Sequence, residues 1–172
     1  MQMVPTSEEN QDLIYMQEAL AEAALAAQED EVPVGAVIVR DGHIIARGRN
    51  AREHGKNALA HAEIAAINNA CNALGGWRLP RCTLYVTMEP CPMCAGAILN
   101  ARIPRVVFAV PDAKAGAFGS VLDLNALPLN HTASVSCGLC REQAEEQLAA
   151  FFARLREKRR KTTPATTNTG EN

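Results

Sequence analysis

Residues 83–110 read TLYVTMEPCPMCAGAILNARIPRVVFAV, and the order of patterns within them decides the fold class. Thr83-Leu84-Tyr85-Val86-Thr87 and Arg105 to Val110 are rich in β-branched and aromatic residues, the composition of short buried strands. Between them Pro90 ends the first run, and Cys91 to Ala101 reads as a helix. A strand, a helix and a second strand in that order need a crossover connection, which brings parallel pairing and an α/β class.

Upstream, Pro33 to Arg40 reads as a strand, Asp41-Gly42 as a tight turn and His43 to Arg47 as the returning strand. That hairpin is antiparallel, so the sheet it joins is mixed, with Val34, Ala36, Ile38 and Ile44 as expected core residues. Before it, Ser7 is placed to cap a helix in which Leu13, Met16, Leu20, Ala23, Ala24 and Ala27 recur at helical spacing. Polar, non-periodic Arg49 to Leu59 is a loop that delivers the chain to His61, at the start of a helix ending before Gly75-Gly76. Downstream, Pro111 to Asn130 carries no clear period, Ala133 to Ser136 reads as a short last strand, and Arg141 to Arg160 as a helix with Leu148, Phe151, Phe152 and Leu155 on one face. The expected organisation is a single domain over residues 1–160 and a Thr- and Asn-rich disordered tail over 161–172.

The 172 residues, 48% of them hydrophobic, suffice for one packed core. The chain lacks the roughly eighteen consecutive apolar residues of a bilayer span, and its first 31 residues are acidic rather than a basic leader, so a cytoplasmic protein with no membrane partner is expected. In a reducing compartment the six cysteines are ligands or core fillers rather than disulfides. The net charge of −2 conceals a division, because residues 1–31 hold eight acids and no Lys or Arg, leaving +6 on the rest. Arg154, Arg156, Lys158, Arg159, Arg160 and Lys161, interrupted among charged residues only by Glu157, form a stretch that either follows a phosphate backbone or is an ordinary solvated helix end.

Two short pieces, His61-Ala62-Glu63 and Pro90-Cys91-Pro92-Met93-Cys94, together offer three metal-binding side chains and a carboxylate that need not be a ligand. Zinc prefers sulfur and imidazole in a tetrahedron, and three protein ligands leave one corner for a water whose pKa the metal lowers to about 7. A Cys-x-x-Cys that opens a helix lies on an exposed first turn, where free N–H groups and the positive dipole end favour thiolates. Alone, such a pair equally describes a redox motif. A second pair, Cys137-Gly138-Leu139-Cys140, raises a zinc ribbon with Cys91 and Cys94 as the weaker alternative. Cys71 and Cys82 read as small buried hydrophobes, and His43 and His54 as surface residues.

The linked motifs resemble the bacterial tRNA-specific adenosine deaminases, within the zinc-dependent nucleobase deaminases. The likeness is carried by Pro33-Val34-Gly35-Ala36-Val37, Ala60-His61-Ala62-Glu63-Ile64, Trp77-Arg78-Leu79, Glu89-Pro90-Cys91-Pro92-Met93-Cys94-Ala95-Gly96-Ala97, Asp112-Ala113-Lys114-Ala115-Gly116, Asn130-His131 and Phe151-Phe152, from about residue 10 to about 158. It implies a three-layer α/β/α fold of cytidine deaminase type, with a mixed five-stranded sheet. It also implies one zinc ion per subunit on His61, Cys91 and Cys94, with Glu63 as proton shuttle. Asn50 and the Ala62 backbone would then border the base, Asp112, Lys114 and His131 would lie near the RNA strand, and Phe151 and Phe152 would flank it. The implied reaction is hydrolytic deamination of adenosine to inosine at the wobble position of a tRNA anticodon stem-loop, by a homodimer.

Two departures bear on the base pocket: Asn57-Ala58-Leu59 where many members have Asp-Pro-Thr, and Arg49 where an aromatic often precedes the asparagine. They keep open a deaminase of a free base or nucleotide, guanine or a cytosine compound. A zinc-stabilised RNA-binding module without catalysis would leave Glu63 and the open metal corner without purpose.

Overall fold

The computed structural model describes residues 7–162, so the proposed tail falls, but for its first two residues, outside the described part. Five strands and four helices follow the order α1 (Ser7–Gln28), β1 (Gly35–Arg40), β2 (His43–Arg49), α2 (Ala62–Leu74), β3 (Cys82–Met88), α3 (Pro92–Asn100), β4 (Arg105–Val110), β5 (Ser134–Cys137) and α4 (Arg141–Thr162). The sheet order is β2-β1-β3-β4-β5. β1 pairs antiparallel with both β2 and β3, whereas β3-β4 and β4-β5 are parallel, which is the expected mixed sheet.

Both faces of the three central strands are covered, so their residues alternate between two cores rather than between core and solvent. Ile38, Leu84, Val86 and Phe108 face α2 and α3 in one cluster, and Val37, Val39, Tyr85 and Val107 face α1 and α4 in the other. That double burial is why these strands read as near-continuous apolar runs. In the hairpin turn Asp41 and Gly42 both have positive φ, 50° and 79°, the conformation that Asp-Gly supplies to a two-residue turn.

Two glycines set how closely helices approach the sheet. A Cβ on Gly35 would run into the Ala19 carbonyl oxygen, and one on Gly48 into the Ala62 carbonyl oxygen and the Ala66 nitrogen. Only glycine therefore lets the first turn of α2 lie directly on β2. Helix α2 ends as its sequence foretells, with Gly75 at φ 67° donating its N–H to the Asn72 carbonyl.

The parallel strands β3 and β4 direct their carboxyl ends to one edge of the sheet, where open α/β folds place ligands. The first turns of α2 and α3 converge on that same edge. Among the described residues no helix is long and apolar enough to cross a membrane.

Candidate active site

His61 is the extended residue before α2, at φ −83° and ψ 154°, and Cys91 holds the equivalent place before α3, with Pro92 occupying the first helical position where a missing N–H costs nothing. Cys94 lies one turn into α3. Two helix N-termini therefore meet with His61 on one and both sulfurs on the other. His61 Nδ1 lies 3.7 Å from Cys91 Sγ and 3.5 Å from Cys94 Sγ. All three ligand atoms fall within 4.8 Å of one another.

These separations fit a specific metal. Zn–N and Zn–S bonds of about 2.05 and 2.3 Å at a tetrahedral angle put about 3.6 Å between nitrogen and sulfur. This is the only such group of three or more among the described residues, so Cys137 and Cys140 join no cluster and the zinc ribbon does not form. Cys137 ends β5 exposed, and Cys140 accepts from the Gln17 amide at 3.5 Å. All six thiols are free.

The first turn of α3 is less open than its sequence suggests. Cys94 is fully buried and Cys91 half-buried, with His61 against both sulfurs. The Cys91 thiol is drawn down to about 3 by the hydrogen bond from Cys94 and, after burial has opposed it, by His61. His61 rises above its usual value, chiefly through its bond to Cys91. Glu63, in the first turn of α2 and 4% exposed, is pushed up to about 7 by desolvation, which outweighs its own backbone N–H bond and the charge of His61. A carboxyl in that range both takes and gives a proton.

Beside this group opens a cleft of about 150 Å³, with Val32, Val34 and Met88 on its apolar side and Asn50, Arg52, Glu63 and Asp112 among its polar walls. Asn50 continues the end of β2, donating its backbone N–H to the Val34 carbonyl at 3.0 Å, and Ala62 lines the floor. Of the residues the sequence put forward, the structure thus gathers Asn50, Ala62 and Asp112 around the metal group. Lys114 stands exposed just beyond, its N–H on the Asp112 carboxylate at 2.9 Å. His131 lies elsewhere, its Nε2 2.9 Å from the carbonyl of Ile103, which precedes β4 at the opposite edge of the sheet. Phe151 is buried and Phe152 is 41% exposed, their rings edge to face at 5.4 Å.

The basic run of α4 is partly spent on docking. Arg154 donates to the Ala27 carbonyl at 2.6 Å, and Lys158 pairs with Asp30 at 2.8 Å, holding α4 against the end of α1 just before Val32. Neither of the two departures from the family pattern reaches the cleft wall. Arg49 turns onto α1, bonding Glu22 at 3.1 Å and Glu29 at 2.9 Å, and Asn57 to Leu59 are exposed.

Three residues that sequence reasoning passed over shape the site. Arg52 stands at the cleft wall, exposed. Glu89, 3% exposed, accepts N–H bonds from Asp112 at 2.9 Å, Phe118 at 3.0 Å and Ser120 at 3.1 Å, together with the Ser120 hydroxyl. Burial would raise that carboxyl, but the Ser120 hydroxyl and the three backbone donors win and hold it low. Its carboxylate thereby organises the segment from Asp112 to Ser120, and a Cβ on Gly116 would displace it. Glu31 is the third, fully buried behind Asn50. Its position two residues before Pro33 was the one available signal.

Comparison with known proteins agrees with this architecture. The profile of the MafB19-like deaminase family matches residues 10–156. A curated tRNA-specific adenosine deaminase from Bacillus subtilis (strain 168) is 48% identical over 151 residues, which are 87% of this chain and 94% of that one. A solved structure from work on A-to-I editing by tRNA:A34 deaminases at the wobble position superposes with a TM-score of 0.77 at 46% identity, covering 78% of this chain and 99% of that one. A guanine deaminase from Bacillus subtilis is more distant, with a TM-score of 0.56 at 28% identity over 94% of this chain and 98% of that one. The chain belongs to the MafB19-like deaminase family, and within it stands with the proteins named tRNA-specific adenosine deaminase.

Proposed function

We propose that this site converts adenosine to inosine at the wobble position of a tRNA anticodon. The observation that carries the reading is the 48% identity, over most of both chains, to a protein named tRNA-specific adenosine deaminase, and the wobble position comes from the 46% identical structure solved in work on tRNA:A34 deaminases. The guanine deaminase likeness at 28% keeps the free-base reading second. The metal is zinc, one per subunit, held by His61, Cys91 and Cys94, whose spacing and donor chemistry suit it. When bound, it supplies Lewis acidity that brings the pKa of a water to about 7.

The remaining work falls to this chain's own groups. Glu63 takes a proton from the attacking water as its oxygen bonds to C6, and hands that proton to ring N1. It then takes the remaining proton of the new C6 hydroxyl and delivers it to the exocyclic nitrogen as the C6–N6 bond breaks and C6=O forms, so that one water is consumed and one ammonia released. Asn50 and the Ala62 backbone hold the base edge, while Val32, Val34 and Met88 exclude bulk water from its face. A cleft of this size takes one base, which an unpaired anticodon loop can turn out without melting a duplex.

Asp112 and Lys114 at the rim and the exposed face of α4, with Phe152 and the basic run, lie toward the backbone on either side. His131, held on the far edge of the sheet, stands apart from this rim, and action as a cytoplasmic homodimer belongs to the same proposal. Incubation with an anticodon stem-loop bearing the wobble adenosine yields inosine and ammonia in equal amounts, and free guanine and cytidine yield none. Ammonia from a free base but not from the stem-loop would transfer the assignment to the second reading. Sedimentation of the zinc-loaded protein reads its assembly directly.

A further inference from the structure

Among the buried acids of the described residues, Glu31 has no part in the reaction above, and both hydrogen bonds to its carboxylate come from neutral groups. It is fully buried, and it accepts from the Asn50 side-chain nitrogen at 3.3 Å and from the His54 backbone N–H at 2.7 Å. A carboxylate only accepts, so the amide nitrogen of Asn50 must face it. That leaves the Asn50 carbonyl oxygen and its second N–H for the cleft.

The backbone places Glu31 with similar care. Asp30 at φ 60° turns the chain just after α1, and the Glu31 N–H closes back on the Ala26 carbonyl at 3.0 Å, which leaves the carboxylate facing Asn50 and the loop after β2. His54 belongs to a turn in which the Gly55 N–H reaches the Ala51 carbonyl at 2.9 Å and the Asn57 N–H the Arg52 carbonyl at 3.1 Å. One buried carboxylate therefore ties the base-edge side chain to the loop that carries Arg52 along the cleft wall.

We propose that Glu31 is a positioning residue for substrate binding: it fixes the orientation of the Asn50 amide and the stance of the Arg52 loop, and it acts on the substrate only through them. The inference rests on the proposed function for its substrate and on geometry alone for the contact. Glu31→Gln is the sharp test, because glutamine has the same shape but only one acceptor atom. If its oxygen keeps the fixed His54 N–H, its nitrogen faces Asn50 and forces that amide to turn over.

Two measurements separate failure of this inference from failure of the proposed function. In the zinc-loaded full chain, the Asn50 side-chain NH2 and the His54 N–H are followed by NMR, with no substrate present. In the wild type both are slow to exchange, and in Glu31→Gln the Asn50 pair shifts and exchanges at least about tenfold faster, the scale of losing one charge-assisted bond. Fast exchange of both groups in the wild type, or no change in the variant, overturns the inference whatever the enzyme's substrate.

With the stem-loop as substrate, Glu31→Gln raises KM about tenfold with kcat within about threefold, and in an Asn50→Ala background it changes KM less than about twofold. Additive effects in that cycle, or a loss confined to kcat, overturn it equally. Wild-type protein that makes no inosine condemns the substrate assignment, and the NMR result then decides the role of Glu31 by itself.

Discussion

At the far end of the sheet from the cleft, Asp12 reaches across to strand β4, where Arg105 grips both carboxylate oxygens and the Tyr85 hydroxyl adds a third bond. At the cleft end Glu31, Glu63 and Glu89 are buried at least as deeply, yet they are held by neutral donors: a side-chain amide, backbone N–H groups and a hydroxyl. The contrast separates two uses of a buried acid. A carboxylate closed by a guanidinium is locked in one charge state and serves the fold. Those held by neutral donors serve the cleft instead: Glu63 is left free to move a proton, while Glu31 and Glu89 fix the direction of the groups that line it.

Glu63→Gln breaks the comparison most severely if it is wrong. The substitution removes a proton carrier but no ion pair, so turnover on the stem-loop should fall about 10³-fold, within the range for a general acid-base group, while bound zinc stays at one per subunit. Melting temperature should hold or rise, because an acid that burial has pushed up to about 7 is a cost to the fold at neutral pH. Wild-type kcat/KM, by the same argument, declines as the pH falls below that value and Glu63 enters the reaction already protonated. A variant that loses zinc or stability along with activity would make Glu63 structural.

Asp12→Asn makes the reverse prediction. It leaves Arg105 without its partner in a part-buried position, which should cost about 3 kcal/mol of stability at pH 7 with kcat on the stem-loop unchanged. The hydrogen bond from Arg105 holds the folded carboxyl below its ordinary 3.8, so the pair's contribution is complete above about pH 4 and is lost as the pH drops through the folded value. Denaturant titrations of wild type and variant should therefore converge in acid. A gap that persists there would mean that packing, not charge, is what Asp12 supplies.

Which of these features could be read from the sequence follows from the same division. The buried strands over residues 35–40 and 105–110 and the hairpin turn depend on neighbours in sequence, and they stand where their patterns put them, with ends moved by one or two residues, whereas the metal triad joins segments thirty residues apart and was legible only through the family resemblance. Segment 111–130 had no readable period because its order is non-local: Glu89, more than twenty residues away, organises its first part, and the Asn125 side chain bonds both the N–H and the carbonyl of Ala133. Glu31 was hidden for another reason. It lies in the run Glu29-Asp30-Glu31, which by composition is acidic surface, and only the left-handed turn at Asp30 sends the third acid inward. Arg49 looked like part of the base pocket by its neighbour in sequence, but alternation along β2 aims it at α1.

Glu89→Gln sharpens the comparison from the neutral-donor side. Glutamine cannot accept from three backbone N–H groups and a hydroxyl at once, and the donor that loses its partner stays buried, at a cost of about 2 kcal/mol. Because Asp112 is among those donors and also lines the cleft, a KM increase for the stem-loop should accompany the lost stability. A variant with the stability loss and an unchanged KM would detach Asp112 from RNA binding.

Phe152→Ala carries the smallest expected effect and tests how far the acting surface extends beyond the cleft. Phe151, buried on α4 against the end of α1, is unavailable to a ligand, whereas Phe152 presents an exposed ring edge-on to it. An exposed aromatic beside an exposed basic run is a platform for an unpaired base, worth about 1 kcal/mol or more where stacking is made. Truncation should raise KM for the stem-loop about fivefold, leave kcat and melting temperature almost unchanged, and leave the slope of log KM against log salt as it was, since no charge is lost. A flatter slope would mean that the ring was holding neighbouring cations in place, and an unchanged KM would confine recognition to the cleft and its rim.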